Sequence, residues 1–290
     1  MFSRFAVRTA LVATITLASS LAHAQTLFST GFEAPQYSTS ATTNITNPYT
    51  GTPFTTAPGA LVASGQGWFP LWSAAGSLAT NFQNATNSST VQSAVVSSGS
   101  QALRVDGLAA NQQIFGSGQG LTFGTGGGIL DLSFDMRVSD PSLQTGQWGL
   151  LLVDTNNNAI ASVGFFGGAL VAGSGSIPYF GTPLGTLSYD TWANYDLTVN
   201  FFTKTMSVAL NGVPISSMQD LPLTNEFTFA PTTAFIGLGG QAPAGVPYTT
   251  TPEHAYFDNL SAAAAPEPGT LALLVVGGTL VIVRRRQPRK

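Results

Sequence analysis

Chemistry on this 290-residue chain would have to come from a short inventory of side chains. Asp131 and Asp135 are two acids of one stretch, LDLSFDMRV, and alternation puts both on the same face. Four residues of strand separate them by ~13 Å. Glycoside hydrolysis uses two carboxylates about 5–9.5 Å apart, so this pair is too far apart for it. There is no cysteine, which removes disulfides, thiol catalysis and cysteine-ligated metals. His254 is the one histidine outside the N-terminal segment, too little for a Ser-His-Asp triad or a multi-histidine zinc site. No catalytic residue is therefore assigned.

Three further stretches are candidates for binding. GQGWFPLW places Trp68 and Trp72 in a Gly- and Pro-marked loop, where exposed rings could carry a sugar. Trp148 and Trp192 open predicted strands and read as core. Asp154-Thr155-Asn156-Asn157-Asn158 starts like a calcium loop, but Ala159 and Phe165 stand where the glycine and bidentate glutamate are needed. Asparagines tolerate turn geometry, so a hairpin turn is the expectation there. The glycines of GSGQGLTFGTGGG (116–128) lack a following Lys-Ser/Thr and a helix, and read as a flexible loop rather than a phosphate cradle.

The elements that must position these groups are strands. In 130–138, Leu130, Leu132, Phe134, Met136 and Val138 oppose Asp131, Ser133, Asp135 and Arg137. In 194–202, Tyr195, Leu197, Val199 and Phe201 oppose Asp196, Thr198 and Asn200. One apolar and one polar face per strand predicts two packed antiparallel sheets. Asn211-Gly212 between TMSVAL and VPISSM predicts a hairpin, and a second joins 148–154 to 159–166. Further strands are expected at 27–33, 102–106, 227–229, 234–238 and 255–261. Residues 34–100, dense in Thr, Ser, Asn and Pro, are expected to be long loops with two short strands. Together these predict an all-β jelly-roll sandwich.

The two ends carry addresses. Arg4 and Arg8 precede an apolar run, and Ala22-His23-Ala24 follows it, the three-part pattern of a signal peptide (1–24) cleaved after Ala24. The other end has Pro266-Glu267-Pro268, an uncharged run over 269–283, then Arg284, Arg285 and Arg286. As a helix the run spans only ~21 Å, short of the about 20 apolar residues of a full span. The arginines hold that end on the cytoplasmic side. The order of these parts resembles a PEP-CTERM sorting signal. The resemblance covers the last 27 residues or so, within a segment 263–290. It implies recognition by an exosortase-type membrane transpeptidase of a Gram-negative bacterium, transient residence in the inner membrane, and release to the envelope or exopolysaccharide matrix.

The body between these ends, 25–262, sets three cations against twelve carboxylates, a net charge of −9. That balance repels nucleic acid. FSTGFE, SGQGWF, SGSQALRVDG, LDLSFDMRV, WANYDLTVNFFTKTMSVALNG and AYFDNL, in that order, resemble a concanavalin A-like, laminin-G-like domain. That resemblance implies the sandwich again. It also implies a calcium site supplied by Glu33 and Asp258 on adjacent first and last strands, or carbohydrate binding. The expectation is an exported binding or structural protein whose partner is a polysaccharide. The alternative on the same fold is a secreted glycan-active enzyme, a glycosidase or polysaccharide lyase. A lyase would need Arg, Lys, His or Tyr groups gathered in a basic groove, and the body has few cations.

Overall fold

A computed structural model describes residues 25–72, 83, 86–106, 114–122, 128–139, 147–155, 158–166, 169–173, 187–223, 233–241 and 254–265. The expected signal peptide (1–24), the expected sorting segment with its apolar run over 269–283, and the strand expected at 227–229 lie outside the described residues. Among the described residues no helix is long and apolar enough to cross a membrane.

The chain is an all-β sandwich of antiparallel sheets. The strands are β1 (Gln25–Thr30), β2 (Asn44–Thr46), β3 (Pro53–Thr55), β4 (Phe69–Trp72), β5 (Ser89–Gln92), β6 (Ala102–Asp106), β7 (Ile114–Thr122), β8 (Ile129–Ser139) and β9 (Gln147–Val153). They continue as β10 (Ala159–Phe166), β11 (Ala169–Gly173), β12 (Ala193–Asn200), β13 (Thr205–Leu210), β14 (Val213–Pro214), β15 (Leu221–Pro222), β16 (Thr233–Gln241) and β17 (His254–Ala265). The larger sheet runs β14-β13-β12-β8-β17-β6-β5, with β1 also on β17 and β15 on β13. The smaller runs β11-β10-β9-β16-β7-β4, and β2 with β3 forms a separate hairpin.

Alternation explains which side faces the core. Leu130, Leu132, Phe134, Met136 and Val138 of β8 are buried, as are Tyr195, Leu197 and Val199 of β12. Leu150, Leu152, Ile236 and Leu238 of the smaller sheet join the same core. Phe134 and Tyr195 are register partners and stack at 5.2 Å between ring centroids. Burial pushes the Tyr195 phenol far above its ordinary value. The Asn211-Gly212 turn has φ of 52° and 73° at its two residues, the left-handed pair that closes a two-residue hairpin. The hairpin is shorter than expected, because after Pro214 the chain turns into a 3-10 turn over Ser216–Met218.

Two expectations are corrected. Part of the glycine-rich segment is no loop: residues 114–122 form β7, which pairs along its whole length with β16. Glycine carries no side chain to alternate, so this strand has no period-2 signature. What it offers is a bare surface, and Gly120 lies under the Phe235 ring, which Phe69 meets edge-on at 5.6 Å. Among the described residues of 34–100 there are four short strands rather than two, and β4 and β5 become edge strands of the two sheets.

Candidate functional site

The polar face of the larger sheet gathers most of the chemistry-bearing side chains. It is laid out by register. At one level, Arg104 on β6 faces Tyr256 on β17, and Tyr256 faces Arg137 on β8. Continuing the β8–β12 register by one residue past Ala193 brings Trp192 beside Arg137. The ring contacts agree: Trp192 and Tyr256 have centroids 6.5 Å apart, and the Arg137 guanidinium carbon lies 5.9 Å from the Tyr256 ring centre. His254 meets Tyr256 edge-on at 5.2 Å.

Each arginine of this row is paired. Arg104 donates through Nε and Nη2 to Asp106 Oδ1 at 2.7 and 2.6 Å. Arg137 Nη2 donates to Asp190 Oδ1 at 2.9 Å. Asp190 sits at φ 56°, an uncommon conformation for a residue with a Cβ. Its own N–H donates to the Val138 carbonyl at 2.8 Å, which fixes the carboxylate in front of Arg137. Tyr256 is only 7% exposed, and Arg137 Nε is buried without a hydrogen-bond partner among the described residues. A pocket of about 230 Å³ next to Trp192 opens on the core side of the sheet, lined by Met136, Val138, Phe165, Tyr195 and Leu187 among others.

One level along the strands, a strap formed by residues 97–101 crosses the sheet. Ser97 and Ser98 donate their backbone N–H groups to Asp258 Oδ2 at 3.1 and 3.0 Å. Asp258 Oδ1 accepts the Asn259 N–H at 2.8 Å. The Ser97 hydroxyl donates to Asp135 Oδ2 at 2.7 Å, and Asp135 also accepts from Asn194 and Asn259. At the far end Glu33 accepts from the N–H groups of Ser100 and Gln101 and from the Ser100 hydroxyl. A break in register after Asp258, with Asn259 at φ 49°, lets these side chains turn under the strap.

Glu33 and Asp258 are indeed brought together: β1 pairs with β17, and Gly31 lies between the two carboxylates. Their neighbours are N–H and O–H donors, however. Such a shell stabilises an anion, whereas calcium takes six to eight oxygens with lone pairs turned inward. Among the described residues no group of three or more His, Cys, Asp or Glu is placed to hold a metal. In this arrangement the two carboxylates fit the strap and do not fit a calcium ion.

The same bonds set the acidities. The Ser100 hydroxyl, with the Ser100 and Gln101 N–H groups, lowers Glu33 against a smaller opposing effect of burial. Burial raises Asp258, and the neighbouring Asp135 charge adds to it against three backbone N–H bonds. A lowered carboxyl contributes stability above its unfolded value and loses it as pH falls through the folded value. A raised one does the reverse and favours the fold below its unfolded value. The melting advantage of the wild type over Glu33→Gln should therefore shrink steadily between about pH 6 and about pH 3, where free carboxylates titrate. Differential scanning calorimetry across that range checks it; a constant difference would contradict the bonding scheme.

The tryptophans expected to serve as sugar platforms fare differently. Trp68 is corrected: it is 5% exposed and packs in the core against Phe28 and Phe32, with Nε1 donating to the Tyr37 hydroxyl at 3.2 Å. A ring enclosed by three aromatics has no face left for a ligand. Trp72 closes β4 opposite Phe115, in a strand rather than the expected loop. Trp148 is fully buried as expected, but Trp192 is only half-buried, at the end of the row. The Asp154 loop is the expected hairpin turn, its carboxylate accepting from the N–H and side-chain amide of Asn158. Asp131 accepts the Thr198 hydroxyl at 2.7 Å.

No family model matches the sequence, and no curated protein matches it. Solved structures do. A cellulose-induced protein superposes with a TM-score of 0.46 at 16% identity, over 62% of this chain and 86% of that one. An endo-β-1,4-glucuronan lyase from the fungus Trichoderma reesei gives 0.45 at 13%, over 60% and 86%. An alginate lyase gives 0.41 at 14%, over 57% and 75%.

Proposed function

We propose that this chain is an exported protein of the surface or exopolysaccharide matrix of a Gram-negative bacterium. It works by binding or building rather than by catalysis, and polysaccharide is its partner class. An exosortase-type transpeptidase delivers it, reading Pro266-Glu267-Pro268 and Arg284, Arg285 and Arg286. The observation that carries this reading is the order of parts: a three-part export signal, one cysteine-free acidic sandwich, then the punctuated apolar run and its arginines. The sandwich supports it, because Glu33, Asp131, Asp135 and Asp258 are occupied as hydrogen-bond acceptors. Carboxylates held in that way fasten a fold. The test is the mass and location of the chain recovered from cells with and without the transpeptidase.

A second reading, a glycan-active enzyme, is favoured by one observation. Asp135 and Asp258 are register partners on β8 and β17, and the Asp135 charge adds to the burial that raises the Asp258 pKa. Two neighbouring carboxylates, one of them held protonated more readily, are what acid–base hydrolysis needs. Against it, Asp258 is fully buried beneath the strap, and three N–H groups hold it.

A further inference from the structure

We infer that the cross-strand row Arg104–Tyr256–Arg137–Trp192 is a binding site for a neutral polysaccharide. The inference rests on the reading of the chain as a polysaccharide-binding surface protein and gives that reading its site and its ligand class. The row spans four adjacent strands, about 14 Å at 4.7–4.9 Å per strand, so it runs across the sheet rather than along one strand. The strap of residues 97–101 lies one level along the same strands, fastened through Asp135 and Asp258, which stand two residues from Arg137 and Tyr256. Asp190 and Trp192 close the β12 end.

The chemistry in the row is that of a sugar. Trp192 is half-buried, leaving part of an indole surface for the C–H face of a pyranose ring. Tyr256 lies in register between Arg104 and Arg137, and the Arg137 guanidinium carbon stands 5.9 Å from its ring centre. Each arginine and its aspartate together offer N–H donors beside carboxylate acceptors, which is the complement of two neighbouring hydroxyls on one sugar.

Charge decides between neutral and acidic polymers. Arg104 with Asp106 and Arg137 with Asp190 sum to zero, so the row has no positive excess for a uronate carboxylate. The body around it is at −9 and repels a polyanion at long range.

Affinity electrophoresis of the full chain in detergent tests this, using gels cast with a neutral glucan, a neutral mannan or alginate. At least one neutral polymer should retard the wild type, and alginate should not. Trp192→Ala should weaken retention about tenfold or more, as loss of a central aromatic anchor does. Tyr256→Phe, which keeps the buried ring, should weaken it about two- to tenfold, the range of one hydrogen bond. If Trp192→Ala melts far below the wild type, Tyr256→Phe and the more exposed Arg104→Gln decide instead. Retention by alginate alone overturns the neutral class. Retention by a neutral polymer that none of these variants weakens overturns this site and leaves the binding reading standing. No retention of the wild type by any of the polymers overturns both.

Discussion

Replacing Gly164 by alanine is expected to remove a large part of the stability of the folded state. Gly164 lies in β10 opposite Gly149 of β9, with Val171 of β11 on its other side. A Cβ built there would overlap the Trp148 carbonyl oxygen and come within 2.9 Å of both the Trp148 carbonyl carbon and the Gly149 Cα. All three are backbone atoms, so no side chain can rotate away. Neighbouring strands lie about 4.7–4.9 Å apart, and accommodating the methyl means prising β9 from β10. Those strands carry Trp148, Leu150, Leu152 and Val163 into the core. The cost should exceed about 4 kcal/mol, a large part of a total of about 5–15 kcal/mol. Gly212→Ala is the control. Its φ is 73°, but nothing lies within 4 Å, so it should cost only the left-handed strain of about 1–2 kcal/mol. Urea unfolding of both variants separates the effects; comparable midpoints would contradict the close approach.

The second large effect is expected at Asp258. Asp258→Ala removes the buried acceptor of the N–H groups of Ser97, Ser98 and Asn259, three bonds that are themselves part-buried. Burial and the Asp135 charge already weigh on the carboxylate more than its three bonds favour it, so the loss comes from the N–H groups left without an acceptor and from the emptied space. The net should be a loss of about 1–3 kcal/mol. Asp258→Asn should fall between, since its carbonyl can keep the two serine N–H groups while its amide faces that of Asn259. Amide hydrogen exchange gives the local reading. Ser97 and Ser98 should exchange much faster in Asp258→Ala, while the Leu132 and Leu197 amides keep the order of protection they have in the wild type. Unchanged exchange at Ser97 and Ser98 would show that something else holds the strap.

How much of this could be read from sequence follows from what each element needs. β8 and β12 were legible because each buries one face, and their alternation even placed Asp131, Asp135 and Arg137 outward. The two-residue turn at Asn211-Gly212 was legible because few residue pairs adopt its geometry. β7 was hidden because glycine leaves no alternation to see. Trp68 was misplaced because its neighbours, Phe28, Phe32 and Tyr37, come from the N-terminal strand and the turn after it. Loop composition cannot reveal a contact made across 31 residues. The pairing of β1 with β17, which joins Glu33 to Asp258, was anticipated through the laminin-G-like resemblance rather than through periodicity.

The row of Arg104, Tyr256, Arg137 and Trp192 was the hardest to see. Each residue is an ordinary outward position on its own segment, and only the order β6-β17-β8-β12 makes them neighbours. The available signal was slight. Two of the three cations of an acidic body stood at outward strand positions, Arg104 two residues before Asp106 and Arg137 beyond Asp135. Charges so scarce, placed on a sheet face rather than in loops, mark a face that is more than wet.

The central claim is that both ends are addresses and that the sandwich is what remains at the surface. It is tested most directly by the intact mass of the chain from the envelope and medium of cells with and without the transpeptidase. The account predicts a chain beginning at Gln25 in both. Only where the enzyme is present should it also lack everything beyond the Pro266-Glu267-Pro268 region. A chain that keeps Arg284 to Lys290 in both cell types would contradict it.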